Sequence, residues 1–157
     1  MYLVDTNVIS EARKGERANA GVRRFFREAD EADQAVFLSV ITIGELRRGV
    51  EAIRHRGDNP QASLLEDWLT MVLHDYADCI LDFDPDTAQV WGRLRVPQPE
   101  NALDKQIAAT ALIHDLTLVT RNTQDFRTCN VSLLNPFADS LKKLPPPCGQ
   151  GGCCYSS

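Results

Sequence analysis

Short apolar runs alternate along the chain with longer stretches whose apolar positions recur every three or four residues. Tyr2-Leu3-Val4, Val36-Phe37-Leu38, Cys79-Ile80-Leu81-Asp82-Phe83 and Leu118-Val119-Thr120 are too short for helices. Lacking regular polar alternation, they read as strands buried on both faces, as in a parallel sheet. A fifth, edge strand is expected in Ser132-Leu-Leu-Asn-Pro136. Helical spacing marks the rest. A short helix through Ser10-Glu11-Ala12 should end near Gly15, and residues 18–29 place Val22, Phe25, Phe26 and Ala29 on one face. From about Ser39 or Thr42 to His55 the stripe is Ile43, Leu46, Val50 and Ile53. From Ser63 to Asp75, Leu64, Leu65, Trp68, Met71 and Val72 are all expected to be buried. Asp84-Pro85-Asp86 opens a helix with Ala88, Val90, Trp91 and Leu94, and Leu103 to His114 carries Ile107, Ala108, Ala111 and Leu112. Strands alternating with helices predict an α/β sandwich, with a mainly parallel central sheet of about five strands flanked by helices.

The breaks fit one domain. Gly57-Asp-Asn-Pro60 separates two helices and Pro97-Gln-Pro-Glu-Asn precedes another. At 157 residues the chain can bury one full core. We expect that domain to occupy residues 1–140 and residues 141–157, without periodicity, to be a disordered tail. No apolar run reaches membrane-spanning length and no secretory signal opens the chain, so a soluble, cytoplasmic protein with no membrane partner is expected. Five cysteines, two in the body and three in the tail, form no disulfide framework and fit a reducing compartment. The tail cysteines could bind a soft metal, but no histidine or second pair completes a zinc site.

Charge enters as an apparent contradiction. The net charge is −5, yet Arg13, Lys14, Arg17, Arg23, Arg24 and Arg27 stand against Glu16 alone in their stretch. Distribution matters more than the sum for binding phosphate, although each arginine also suits a solvated helix face.

The candidate chemistry is acidic. Asp5 ends the first strand, at the edge of the sheet where ligands bind in open α/β folds, although an N-cap explains it as well. Glu45 lies beside the stripe of its helix, where Thr42 and Glu45 also read as a capping box. Asp104 falls in a first helical turn, which favours a carboxylate in any case. Asp125 lies in the loop after the fourth strand. Asp82, Asp84 and Asp86 mimic a calcium loop, but Thr87 and Arg93 stand where it needs Gly and Glu, which leaves turns and caps. His55, His74 and His114 lack partners for a nucleophilic triad.

Four segments taken together change these odds: Tyr2-Leu-Val-Asp-Thr-Asn7, Thr42-Ile-Gly-Glu-Leu-Arg-Arg-Gly49, Leu103-Asp-Lys-Gln-Ile-Ala-Ala-Thr110 and Val119-Thr-Arg-Asn-Thr-Gln-Asp-Phe126. In this order they resemble the PIN-domain ribonucleases, in particular the VapC-type toxins of bacterial toxin–antitoxin pairs, from Met1 to about Phe137. The resemblance implies a PIN-like sandwich and an endoribonuclease acting on RNA, often a tRNA. Asp5, Glu45, Asp104 and Asp125 would carry the metal and the catalysis, supported by Thr6, Thr120 and Asn122. Many PIN domains carry an acid at the position of Asn122, and others three residues later, at that of Asp125. An oxygen-only set of mutually repelling carboxylates suits Mg²⁺, with Mn²⁺ as substitute. The resemblance also implies a cognate antitoxin whose basic side chain enters the acidic pocket, and a homodimer. Residues 41–75 resemble the helical hairpin that many such toxins use for one contact or the other. Two rival readings are a non-catalytic PIN-like RNA-binding module and a phosphatase with Asp5 as nucleophile. Asn7 stands where such phosphatases usually have a second Asp.

Overall fold

The first strand of the chain is the middle strand of its sheet. The computed structural model describes residues 1–138. Its strands are β1 (Tyr2–Val4), β2 (Val36–Ser39), β3 (Ile80–Leu81), β4 (Thr117–Val119) and β5 (Leu133–Leu134), in the order β3-β2-β1-β4-β5. Every pairing is parallel. Leu3 sits opposite Phe37 and Leu118, and Val4 opposite Val119. Because side chains alternate across a strand, Leu3 and Leu118 enter one core with Ile107, Ala108 and Phe126. Val4 and Val119 enter another with Val8, Val22, Leu38 and Leu46. Burial on both faces is why these runs lack polar alternation, and each large aliphatic side chain contributes about 2 kcal/mol.

Among the described residues, six helices cover the two faces: α1 (Thr6–Ala12), α2 (Ala20–Glu31), α3 (Val40–His55), α4 (Asn59–Asp75), α5 (Pro85–Leu94) and α6 (Ala102–Ile113). Asn19 caps α2 by accepting from the amides of Gly21 and Val22. Gly21 is required there, since a Cβ would lie 1.9 Å from the Pro136 carbonyl oxygen. Asp84 caps α5, accepting from the amide and hydroxyl of Thr87 at 2.8 and 2.7 Å, so the acidic repeat at 82–86 opens a helix. Trp91 Nε1 donates to the Ala102 carbonyl at 3.0 Å, and the buried Lys105 donates to that of Gln98. These two bonds hold the loop that leads into α6.

Several expectations need correction. α1 begins directly after Asp5, which caps it in place of Thr6 or Asn7. Ser39, not Thr42, caps α3, because its hydroxyl accepts from the Ile41 amide. Thr42 is inside the helix and fully buried, so the capping box does not form. α4 starts at Asn59, earlier than Ser63, since Asp58 caps it and Pro60 is tolerated in the first turn. Leu64 and Met71 are 65% and 60% exposed instead of buried. They lie seven residues apart on one side of α4, while Ala62, Leu69 and Val72 meet the core on the other. The third strand shrinks to Ile80–Leu81, because residues Ala77–Cys79 form a 3₁₀ turn. The expected domain boundary at residue 140, the disordered tail at 141–157 and its cysteines lie outside the described residues. Among the described residues, no helix is long and apolar enough to cross a membrane.

Candidate active site

Parallel strands deliver all their carboxyl ends to one edge of the sheet, and three of the four candidate acids line a cleft at that edge. Asp5 follows β1, Glu45 sits in the second turn of α3 after β2, and Asp104 sits in the first turn of α6. The cleft offers about 280 Å³ between these carboxylates, with Thr6, Asn7 and Asn122 on its polar wall. Leu103 and Ile107 form its apolar side.

Asp5 is 4% exposed, lines the cleft and has both carboxylate oxygens hydrogen-bonded. Its Oδ1 accepts from the Thr6 amide at 2.7 Å, and its Oδ2 from the Thr120 hydroxyl at 2.8 Å and Asn7 Nδ2 at 3.3 Å. Burial raises its carboxyl above the usual range, these three bonds lower it, and the charge of Asp125 raises it further. The N-cap role and the site role are therefore one geometry. A carboxylate so buried and bonded is poorly placed to attack a phosphate as nucleophile, which disfavours the phosphatase reading.

Asp104 is pushed up to about 6, first by burial and then by the charges of Asp5, Asp125 and Glu45. The other three candidate acids thus all act on Asp104, and Asp125 acts on Asp5 as well. Asp125 differs in placement: it lies in the 3₁₀ segment Thr123–Cys129, is exposed, and reaches the others by charge. Glu45 is partly exposed, with Arg48 Nε 3.6 Å away at the outer rim.

The supporting residues form one small network. Thr120 is fully buried, and besides donating to Asp5 its hydroxyl accepts from the Asn122 amide at 3.0 Å. Thr6 approaches the buried Thr42 hydroxyl at 3.4 Å, joining α1 to α3. Asn7 was missed as a site residue. Its Nδ2 contacts both Asp5 and Thr120, and its Oδ1 accepts from the Arg121 amide at 3.1 Å. The available signal was an amide side chain two residues after a strand-ending carboxylate, a common partner for turn backbone.

The donor set is oxygen only, which fits a hard divalent cation such as Mg²⁺ or Mn²⁺. Among the described residues, no three acidic, histidine or cysteine side chains stand close enough to hold an ion together. That spacing fits an ion that keeps several of its waters and takes one or two carboxylates directly.

Known proteins share both the sequence and the fold. The model of the PIN domain family matches residues 2–130. Toxin FitB of Neisseria gonorrhoeae is 34% identical over 148 residues, which cover 88% of this chain and 100% of that protein. A VapC ribonuclease of Sinorhizobium fredii is 30% identical over 143 residues, covering 87% and 98%. The crystal structure of FitAcB from Neisseria gonorrhoeae superposes with a TM-score of 0.75 at 34% identity, covering 87% of this chain and 99% of that one.

Proposed function

The chain belongs to the PIN domain family, and on that premise we propose that it is a metal-dependent endoribonuclease, the toxin of a toxin–antitoxin pair. The observation that carries the reading is the elevated carboxyl of Asp104. Its value of about 6 reflects burial first and then the charges of Asp5, Asp125 and Glu45, at the carboxyl edge of a parallel sheet. Such a point is costly to ionise without a cation and favourable with one.

Asp5, Glu45, Asp104 and Asp125 would hold Mg²⁺ or Mn²⁺. A bound ion would neutralise the scissile phosphate and acidify an attacking water. The chain supplies the placement. Thr120 and Asn7 fix the Asp5 carboxylate, so its oxygens need no reorganisation when the cation arrives. Asn122, held through its amide by Thr120, presents a neutral side chain to the cleft, where a phosphate oxygen can accept from it. Leu103 and Ile107 shield one side from water.

The antitoxin fits a second groove that adjoins the first through Thr6 and Glu45. Leu46, Val50, Ile53, Leu65 and Trp68 line it between α3 and α4, so an apolar segment can lie there while a basic side chain reaches Glu45. The exposed Leu64 and Met71 on the outer side of α4 offer a contact for a second copy of the chain.

The test is incubation of the purified protein with total RNA, with and without Mg²⁺ or Mn²⁺, beside Asp104→Asn. Cleavage should require the metal and disappear in the variant. Cutting that persists in chelator, or survives the substitution at the parent rate, would sink the assignment.

A further inference from the structure

The basic stretch 13–27 takes no part in the site described above, and its arrangement runs against local stability. α2 carries Arg23, Arg24 and Arg27 in its first two-thirds and Glu28, Asp30 and Glu31 at its end. The helix dipole favours the reverse order, acids first and bases last. Ion pairing explains little of the placement, since the pair within α2 is Arg24 with the exposed Glu28 at 3.9 Å. Among the described residues no ion pair engages Arg13, Arg17 or Arg27, and Arg23 meets only Glu16, whose side chain is 98% exposed. Arg23 and Arg27 stand one turn apart on one face and, with Glu16 and the edge of Phe26, line a groove between α1 and α2; Phe26 is partly buried against Phe25 and keeps part of its ring on the groove. The floor of that groove reaches Ala12 and Gly15. Arg13 closes α1, the helix that Asp5 opens, so it lies about 12 Å from the cleft along the helix axis. It also shares a groove with Thr6 and Glu45, which line the cleft.

We propose that this surface is the track along which a single RNA strand leaves the cleft, with Arg13, Arg23 and Arg27 on its phosphates and Phe26 against a base. The inference rests on the ribonuclease reading and names the part of the chain that grips the substrate beyond the reacting phosphate. Guanidinium groups one turn apart suit successive phosphates, and an aromatic face between them suits an unstacked base of any sequence. Acidic residues outnumber basic ones in the rest of the sequence, so this stretch stands out as a place for a polyanion to approach.

The experiment compares the parent with the double variant Arg23→Gln/Arg27→Gln and with a control of equal charge loss, Arg56→Gln/Arg93→Gln. Circular dichroism first checks that all three are folded. Binding of a fluorescein-labelled, mixed-sequence single-stranded oligoribonucleotide is measured in chelator at several salt concentrations. Cleavage of the same strand is measured with Mn²⁺. The track variant should weaken binding and raise KM by the same factor, with kcat within twofold of the parent. Its plot of log Kd against log salt should flatten by about 1.4, the share of two lost phosphate contacts on a single strand. An unchanged slope, equal weakening in the control, or no RNA binding by the parent overturns the proposal. A parent that binds with the expected slope but cuts nothing with any metal refutes the ribonuclease reading and leaves the track standing.

Discussion

Thr120 donates its hydroxyl to Asp5 Oδ2 at 2.8 Å across 115 positions of sequence. The contact follows from strand register. Val4 pairs with Val119, so the next residue of each parallel strand emerges at the same edge, side by side. One hydroxyl there meets three partners, since it also contacts Asn7 and accepts from the Asn122 amide.

Thr120→Val keeps the shape and removes the hydroxyl. The fully buried site then leaves a carboxylate oxygen and an amide short of a partner, so stability should fall by about 1–2 kcal/mol. Asp5 should titrate higher, because the Thr120 bond is what most lowers it. Mn²⁺ should bind more weakly, and Thr120→Ser should restore both properties. Chemical denaturation and Mn²⁺ titration report the two effects, and a fully stable valine variant would show that the hydroxyl is idle.

Asp104→Asn should stabilise the metal-free protein at neutral pH by about 1 kcal/mol, by removing one of several facing charges. Burial and like charges account for its shift, with no hydrogen bond among the causes, so little is lost in return. Asp5→Asn is the contrast. It relieves charge too, but gives up acceptor capacity to Thr6, Asn7 and Thr120, and its net gain should be smaller. Melting temperatures in chelator rank the two. Added Mn²⁺ should raise the parent more than either variant.

Between the ordinary carboxyl value of 3.8 and about 6, the folded chain holds a proton on Asp104 that the unfolded chain has released. Stability of the metal-free protein should therefore decline as pH rises across that window, by about 1 kcal/mol after solvent screening. The raised carboxyl of Asp5 adds in the same direction. Saturating Mn²⁺ should reverse the slope, since the ion binds the ionised forms. Melting curves across the window, with and without Mn²⁺, check the sign, and two parallel slopes would speak against a shared cation site.

Gly49 is exposed in mid-helix, and a Cβ there would meet nothing within 4 Å. Gly49→Ala should raise stability by roughly 0.5–1 kcal/mol through helix propensity alone. Gly49→Phe should fill the groove beside Val50 and Trp68 and weaken retention of a co-expressed antitoxin. Thermal melting and co-purification separate these effects. An antitoxin held equally well by the phenylalanine variant would place its segment elsewhere.

Local pattern carried most of the elements. The buried strands at Tyr2–Val4 and Val36–Ser39 were legible because a run with no polar alternation has few other uses. The acids at 5, 45 and 104 were legible only as a set, because caps and first turns use carboxylates routinely. Asn7 escaped notice because its partners, Thr120 and Arg121, lie more than a hundred residues away. Leu64 and Met71 were misjudged for a different reason. α4 is apolar on more than one side, and periodicity cannot tell a core face from one left for a partner. Ser39 lost out to Thr42 as the expected cap because a residue can close a strand and open a helix at the same position.

The central place of β1 has a consequence for synthesis on the ribosome. Its pairing with β2 can form as soon as the first forty or so residues are free, but its other edge waits for β4 near the end of the domain. Until then the nascent chain has Asp5 and Glu45 but lacks the helix bearing Asp104 and the hydroxyl of Thr120. The cleft therefore cannot be assembled until α6 and β4 have been translated. The order of strands thus works as a delay, and an antitoxin that is already present has that interval in which to find the chain.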